Sequence, residues 1–566
     1  MKSRIAIFFS LSIGISLFLG SYYSLNAQTY GQNGMVVSDH YLASEVGVAI
    51  LKKGGNAIDA TVAIAFALAV THPEAGNIGG GGFIVLMKSD GEVTTFDFRE
   101  KAPLAASPSM FLDENGKIRD NSNHKGLLSV GVPGTVAGLF QAHQKYGKLP
   151  WKDLVQPAVD LAKNGFLMSW GLYTAALRVS KMDASYDIMQ HFFRGANGEV
   201  VAPGELWKQA ALANTLEAIR DQGRDGFYKG AVAAEIESYM KAKGGIITQE
   251  DLATYEAVER APLKTTFKGY EIFSMPPPSS GGVALIEMMN LMEAADISKV
   301  EFNSTAYVHL VAEAMRRAFA DRAEYLGDPE FNSDMPIEHL ISKDFAKARF
   351  ENLDLTKASK SDSSKFGQPY GGDHTTHFSV IDKAGNAISL TYTLENSYGA
   401  GMGSDKLGFI FNNEMGDFNP VPGVTTTSGQ IGTDPNLVAP EKRMLSSMTP
   451  TIVAKDGKPY LVIGSPGGRT IINTVFQTVL NVLAYDMRID RAIEAMKIHH
   501  QWLPDQILYE RNLLSPDTRD ALEKMGHTLR PTTNIGVLMG ITYDAKLGIF
   551  VGAADSASED GAARGY

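Results

Sequence analysis

The sequence predicts an α/β protein in which stacked sheets lie between layers of helix, an αββα arrangement. Three observations carry that expectation. Helical patterns dominate the first half of the chain, strand pairs dominate the second, and an apolar helix from about Thr470 to Tyr485 sits among those pairs. Sheets and helices each bury one face, and two stacked sheets covered on their outer sides by helices satisfy both.

In chain order, residues 1–27 carry Lys2 and Arg4, an apolar run from Ile5 to Leu19, and a polar close at Asn26-Ala27. This is the layout of a secretory signal cleaved after Ala27. The run is short for a membrane span of about 20 residues, so no span is expected in the mature form. Residues 40–72 read as two helices broken at Gly54-Gly55, the second nearly all apolar and therefore buried. The glycine-rich loop 73–82 leads into a hairpin turning at Ser89-Asp90-Gly91. Residues 134–243 read as mainly helical, punctuated by Pro150, Pro157 and Pro203. Residues 265–282 read as a strand, a proline turn and the start of a helix, with another helix at 306–327. The stretch 353–373 is polar and without hydrophobic period, and reads as an exposed, mobile connection. Strand pairs follow at 376–394, 450–466 and around 535–554.

Composition excludes several classes. The chain has no cysteine, which rules out thiol catalysis, zinc–thiolate sites and structural disulfides. Loss of residues 1–27 removes only Lys2 and Arg4 among charged groups, taking the formal net charge from −11 to −13. An acidic exported protein lacks the basic face that nucleic acid requires.

The stretch "GGDHTTHFSV" at 371–380 sets a strand directly after a run ill-suited to one. Strand alternation puts Thr375, His377 and Ser379 on one face and Thr376, Phe378 and Val380 on the other. If Ile381 pairs with Ala387 across the turn, Thr375 falls opposite Thr393, and the hairpin turns hydroxyls to one side and apolar groups to the other. Cross-strand threonine pairs are ordinary sheet stabilisers. At this junction, however, the Thr375 hydroxyl could attack the His374 carbonyl and open the chain. The freed α-amine, with a reference pKa of about 7.7–8, could then serve as base to its own side chain. Alternation sets His374 and His377 on opposite faces, so the pair with Asp373 is not read as a metal site.

The ordered set "GNAIDA", "HPEAGNIGGGGF", "DFREKAP", "GVPGTVAG", "TTHFSVIDKAGN", "FNNEMGDF", "KRMLSSMTPTIV" and "GSPGG" resembles γ-glutamyltranspeptidase, from about Gly34 to Tyr566. The resemblance implies an N-terminal nucleophile hydrolase whose αββα sandwich is formed jointly by two subunits of one self-cleaved precursor. Those subunits would be a large one, 28–374, and a small catalytic one, 375–566, paired as a heterodimer. It implies Thr375 as nucleophile, with autocleavage between His374 and Thr375, and Thr393 beside it. Arg99, Ser446 and Ser447 would take the α-carboxylate of a γ-glutamyl group, and Asp417, Glu414 and Glu395 its α-ammonium. Gly467 and Gly468, before the helix at Thr470, would offer backbone N–H groups to an oxyanion. No cofactor or metal is implied. Donors would be glutathione and related γ-glutamyl compounds, acceptors water, amino acids or peptides, and the compartment the periplasm.

Two departures stand out. Ser428 occupies the place where some family members carry a lid tyrosine, and Met444 the place of a usual proline. "HHQWLPD" at 499–505 follows the family but reads as packing only. The nearest alternative is an acylase of the same architecture acting on glutaryl-β-lactams or poly-γ-glutamate, against which Arg99 with Asp417 argues for a true α-amino acid. A solute-binding protein, which needs no cut chain, is the alternative from another class.

Overall fold

A computed structural model of the chain describes residues 29–182, 186–362, 375–424, 426–511 and 514–566. The expected signal segment and His374 lie outside these residues. Two seven-stranded antiparallel sheets stack on one another. The first runs Thr29–Gly31, Ile549–Ala554, Met539–Asp544, Lys458–Gly464, Thr451–Lys455, Tyr270–Ser274 and Leu263–Phe267. The second runs Ala562–Gly565, Met35–Ser38, Thr375–Ile381, Ala387–Thr393, Gly81–Met87, Val93–Asp97 and Val258–Arg260.

Three apolar clusters define the layers. Met35, Val85, Ile381, Ile452, Val462 and Ile541 meet between the sheets. The outer face of the second sheet, including Ile84, Phe378 and Leu390, packs on the helices that hold Ile64, Phe66 and Leu68. The outer face of the first, including Ile272, Val453 and Leu461, packs on Met288, Val311 and Val475. The αββα expectation therefore holds. Helix Ala57–Thr71 is buried along its whole length, as its composition demands, and a capping box between Asn56 and Asp59 closes its start. Helix Thr470–Tyr485 has the expected limits.

The structure departs from the reading at three places. Pro157 does not punctuate; it lies inside helix Trp151–Asn164, whose face of Leu154, Val155, Ala158 and Val159 is buried deeply enough to override the missing N–H. The strand read at 265–274 is two strands, Leu263–Phe267 and Tyr270–Ser274, turning at Lys268-Gly269, with both turn residues at positive φ. The connection read as mobile from 353 is pinned in its first part. Leu353 and Ala358 are buried, and Ala358 N donates to Met525 O at 2.8 Å. Ser359 N donates to Glu313 (3.1 Å) and Ser361 N to Asp505 (2.9 Å). Side-chain carboxylates thus hold a segment that has no hydrophobic period of its own.

Candidate active site

Strand Thr375–Ile381 lies inside its sheet, between Met35–Ser38 and Ala387–Thr393. The hairpin register is the expected one, Thr375 opposite Thr393 and Ile381 opposite Ala387. Its hydroxyl face turns into the sandwich rather than to solvent. Ser379 Oγ donates to Met539 O (3.0 Å) and Ser389 Oγ to Ile463 O (2.9 Å), both carbonyls of the other sheet. Between them lies the His377 ring, with Nδ1 2.8 Å from Thr391 Oγ1 and Nε2 3.1 Å from Ser379 Oγ. Burial pulls its pKa down to about 3, so it is a neutral linker whose two nitrogens are already engaged.

Thr375 ends this polar row. Its Oγ1 donates to Thr393 Oγ1 at 3.3 Å, and Thr393 Oγ1 accepts the Glu395 amide at 2.8 Å. One small pocket, open to solvent, is lined by Thr375, Thr393, Glu395, Arg99, Glu414, Asp417, Ser446, Ser447 and Gly468. Gly467 lines a second, wider cleft that Thr375 shares from its other side. The nine other described residues expected at the site therefore converge on Thr375, from strand ends and loops far apart in sequence.

The two proposed ends of the recognition site are joined in the structure. Arg99, fully buried, donates to Glu414 and, at 2.5 Å, to Asp417. It also donates to the carbonyls of Met444 (3.2 Å) and Leu445 (3.4 Å). Burial alone would disfavour its charge; the carboxylates reverse this and hold its pKa above the ordinary value. Burial pushes Glu414 well up, with Arg99 pulling back, and pushes neighbouring Glu100 up to about 8. Met444 is buried in a cluster with Phe111, Met415 and Phe418, which aims its carbonyl at Arg99.

Sequence reasoning missed Arg322 and Arg469. Arg322 donates to Ser280 Oγ (2.8 Å) and Ser447 Oγ (3.2 Å), so it orients one of the paired serines from behind. Burial lowers its pKa to about 9, which leaves it charged at neutral pH. Arg469 lines the pocket directly after Gly468. An arginine in a helix is usually solvated, and only its tertiary burial marks Arg322 as part of the site.

Gly467 and Gly468 have φ of +128° and +55°, and neither peptide N–H is taken up by another group among the described residues. A Cβ on Gly467 would meet Thr470 Oγ1 at 2.5 Å, so the turn needs glycine for space as well as for φ. Ser428 is exposed, bonded to Thr426 Oγ1 at 3.1 Å, and does not line the pocket. The "HHQWLPD" stretch does more than pack, since Asp505 accepts from Arg316 and from Ser361 N. His309, Glu313 and His527 converge closely enough to suggest a cation site. The two rings bond each other at 2.8 Å, however, and both Arg316 and Arg317 occupy Glu313.

The γ-glutamyltranspeptidase family model matches residues 43–565. The chain belongs to that family. The glutathione hydrolase proenzyme of Escherichia coli is 44% identical over 538 residues, covering 94% of this chain and 92% of that protein. The glutathione hydrolase proenzyme of Bacillus subtilis is 39% identical over 557 residues, covering 94% and 92%. Among solved structures, the γ-glutamyltranspeptidase of Helicobacter pylori is 45% identical with a TM-score of 0.55, covering 56% of this chain and 91% of that one. A cephalosporin acylase from Bacillus halodurans superposes with a TM-score of 0.83 at 24% identity, covering 96% and 98%, a likeness of fold. Family membership makes the chain an enzyme of the γ-glutamyl transfer and hydrolysis class. Among the described residues no helix is long and apolar enough to cross a membrane.

Proposed function

We propose that the chain cuts itself between His374 and Thr375 and then acts on glutathione and related γ-glutamyl amides. One observation carries the reading: a threonine that opens a strand lines a charged pocket beside two glycine amides that have no partner among the described residues. In maturation Thr375 Oγ attacks the His374 carbonyl carbon, the peptide C–N bond breaks, and an ester forms. Water then opens the ester, leaving a carboxylate on His374 and a free α-amine on Thr375.

In turnover that amine takes the Thr375 hydroxyl proton as Oγ attacks the γ-carbonyl. The Gly467 and Gly468 amides receive the developing oxyanion. The C–N bond breaks, the proton passes to the leaving amine, and a γ-glutamyl ester remains. Water releases glutamate, or the amine of an amino acid or peptide takes the group. Ser446, Ser447 and Arg99 face the donor's α-carboxylate, and Asp417, Glu395 and Glu414 its ammonium. Both ends of that set favour an amino acid donor over a glutaryl acylase substrate, which has no ammonium. Segments 28–374 and 375–566 remain together as a heterodimer, and the export layout of residues 1–27 supports a periplasmic location.

The test is N-terminal sequencing of the purified small fragment, with γ-glutamyl-p-nitroanilide assayed beside its glutaryl analogue. A fragment beginning at Thr375, an uncut and inactive Thr375→Ala variant, and preference for the γ-glutamyl compound are expected. An intact active chain would refute the mechanism, and preference for the glutaryl analogue would refute the substrate.

A further inference from the structure

The strand that carries Thr375 is held unequally on its two sides. Toward Ala387–Thr393 the ladder runs to Thr375 itself. Toward Met35–Ser38 it stops at Phe378, opposite Ser38. Asp39 is the next residue, and its side chain continues where the ladder stops. Its Oδ2 accepts from Thr376 Oγ1 and from the His377 amide (3.3 Å), and its Oδ1 from Ser558 Oγ (3.3 Å). The carboxylate is 4% exposed and lines the wider cleft together with Thr375 and Gly467.

We propose that Asp39 is a positioning residue for the Thr375 amine: it grips the first residues of the cut strand and holds a negative charge beside the new N-terminus. The inference rests on the proposed cut ahead of Thr375. A strand end is where chains fray, and a nucleophile whose own amine is its base needs both groups fixed. Asp39 supplies that fixing through Thr376 and the His377 amide, one and two residues along from the amine, about 3–7 Å of strand rise. A carboxylate at that range favours the ammonium form and so raises the amine pKa.

The other groups around Asp39 leave this effect in place. The charge of His72, at the end of helix Ala57–Thr71, acts on it. Burial keeps neighbouring His40 and His377 neutral and pushes the Tyr392 phenol well up. Glu74, Arg178, Glu559 and Asp560 line the same cleft. Burial raises the Asp39 carboxyl, while Thr376, the His377 amide and Ser558 pull it back toward the ionised form.

The experiment uses the full chain and compares wild type with Asp39→Asn, Asp39→Ser and Asp39→Glu. For each, the small fragment is sequenced, and kcat and KM for γ-glutamyl-p-nitroanilide are followed from pH 5 to 9. The acid limb of kcat/KM reports the base of the free enzyme. Both neutral variants are expected to move that limb to lower pH by about 0.5–1 unit, the low end of the effect of a nearby charge. Asp39→Glu keeps the charge and the wild-type limb but lowers kcat, because the grip is displaced. Donor KM stays within about threefold throughout, since Arg99 and the serines lie in the other pocket. Superimposed acid limbs in wild type and the neutral variants would overturn the inference, as would failure of all three variants to be cut, which would assign Asp39 to folding. If wild type itself is not cut ahead of Thr375, the proposed mechanism fails first, and the sequencing arm separates that outcome from failure of the Asp39 inference.

Discussion

Replacing Arg99 with methionine removes a cation that touches Glu414, Asp417 and Glu100 at once. Arg99, Glu414 and Glu100 have side chains no more than 1% exposed, so water cannot take the place of the guanidinium. Breaking a buried pair by deleting one partner costs about 3–5 kcal/mol, a large share of a typical folding stability of about 5–15 kcal/mol. The loss depends on pH with a definite sign. Burial already raises Glu100 to about 8 and Glu414 well above its ordinary range, and Arg99 is what pulls both back. Without it both rise further. A carboxyl whose folded pKa exceeds its unfolded one binds protons in the folded state between the two values. Stability therefore falls as pH rises through that window, by up to about 1.36 kcal/mol per unit and group. Relative to wild type, the Arg99→Met penalty should then stay level from pH 5.5 to 7.5 and grow by pH 9, where wild-type Glu100 ionises and the variant's does not, by up to about 1.36 kcal/mol per unit. Urea denaturation in a Thr375→Ala background keeps the chain single and gives the difference directly. Arg99→Lys should restore only part of the loss, because a point charge cannot reproduce a fork that reaches two carboxylates and two carbonyls. A penalty below about 1 kcal/mol, or one equal at pH 7.5 and pH 9, would refute the argument that Arg99 neutralises this cluster.

Two further predictions concern the turn and the connection. Gly467→Ala places a methyl 2.5 Å from Thr470 Oγ1 at φ +128°, so kcat should fall by about 10²–10³, as for loss of one oxyanion donor. Steady-state assays should show donor KM nearly unchanged, and a kcat within tenfold of wild type would remove Gly467 from that role. Asp505→Asn weakens the hold on Ser361 and Arg316, charge-assisted bonds worth about 1.5–3 kcal/mol. Limited proteolysis within 353–362 should accelerate about tenfold or more while kcat/KM of the matured protein is retained, and unchanged proteolysis would show that the anchor lies elsewhere.

The hairpin was legible because alternation and turn length fix register, and a one-residue slip would send Thr375 to the opposite face. The helices at 41–52, 57–71 and 470–485 were legible through composition and breakers. Arg99, Glu414 and Asp417 were legible only as members of an ordered motif set, since each alone reads as a solvated charge. Their mutual contact was not legible, because Arg99 and Asp417 meet across 318 residues of chain through sheet pairing. Arg322 left no local signal, since its partners Ser280 and Ser447 come from two other segments. The anchored part of 353–362 was misread for a related reason: polar composition reports the absence of a core face, not the absence of carboxylates elsewhere that capture its amides. Asp39 escaped notice because a lone acid after a strand is ordinary, and what distinguishes it is the place where a neighbouring ladder stops.

The same geometry explains how a chain can be severed at residue 375 without coming apart. Hydroxyls buried between two sheets must be bonded, and those of Ser379 and Ser389 are bonded to carbonyls of the opposite sheet. Each such bond ties the hairpin to the layer beneath it. Strand Thr375–Ile381 also has ladder partners on both sides, Met35–Ser38 from before the cut and Ala387–Thr393 from after it. Cleavage ahead of Thr375 would therefore remove one covalent bond and no ladder pair among the described residues. The apolar cluster between the sheets, from Met35 to Ile541, joins segments on both sides of the cut. Polarity at one end of the sandwich and apolar packing at the other are thus complementary. The first places a reactive hydroxyl among groups that can orient it, and the second keeps the severed pieces in register while it reacts.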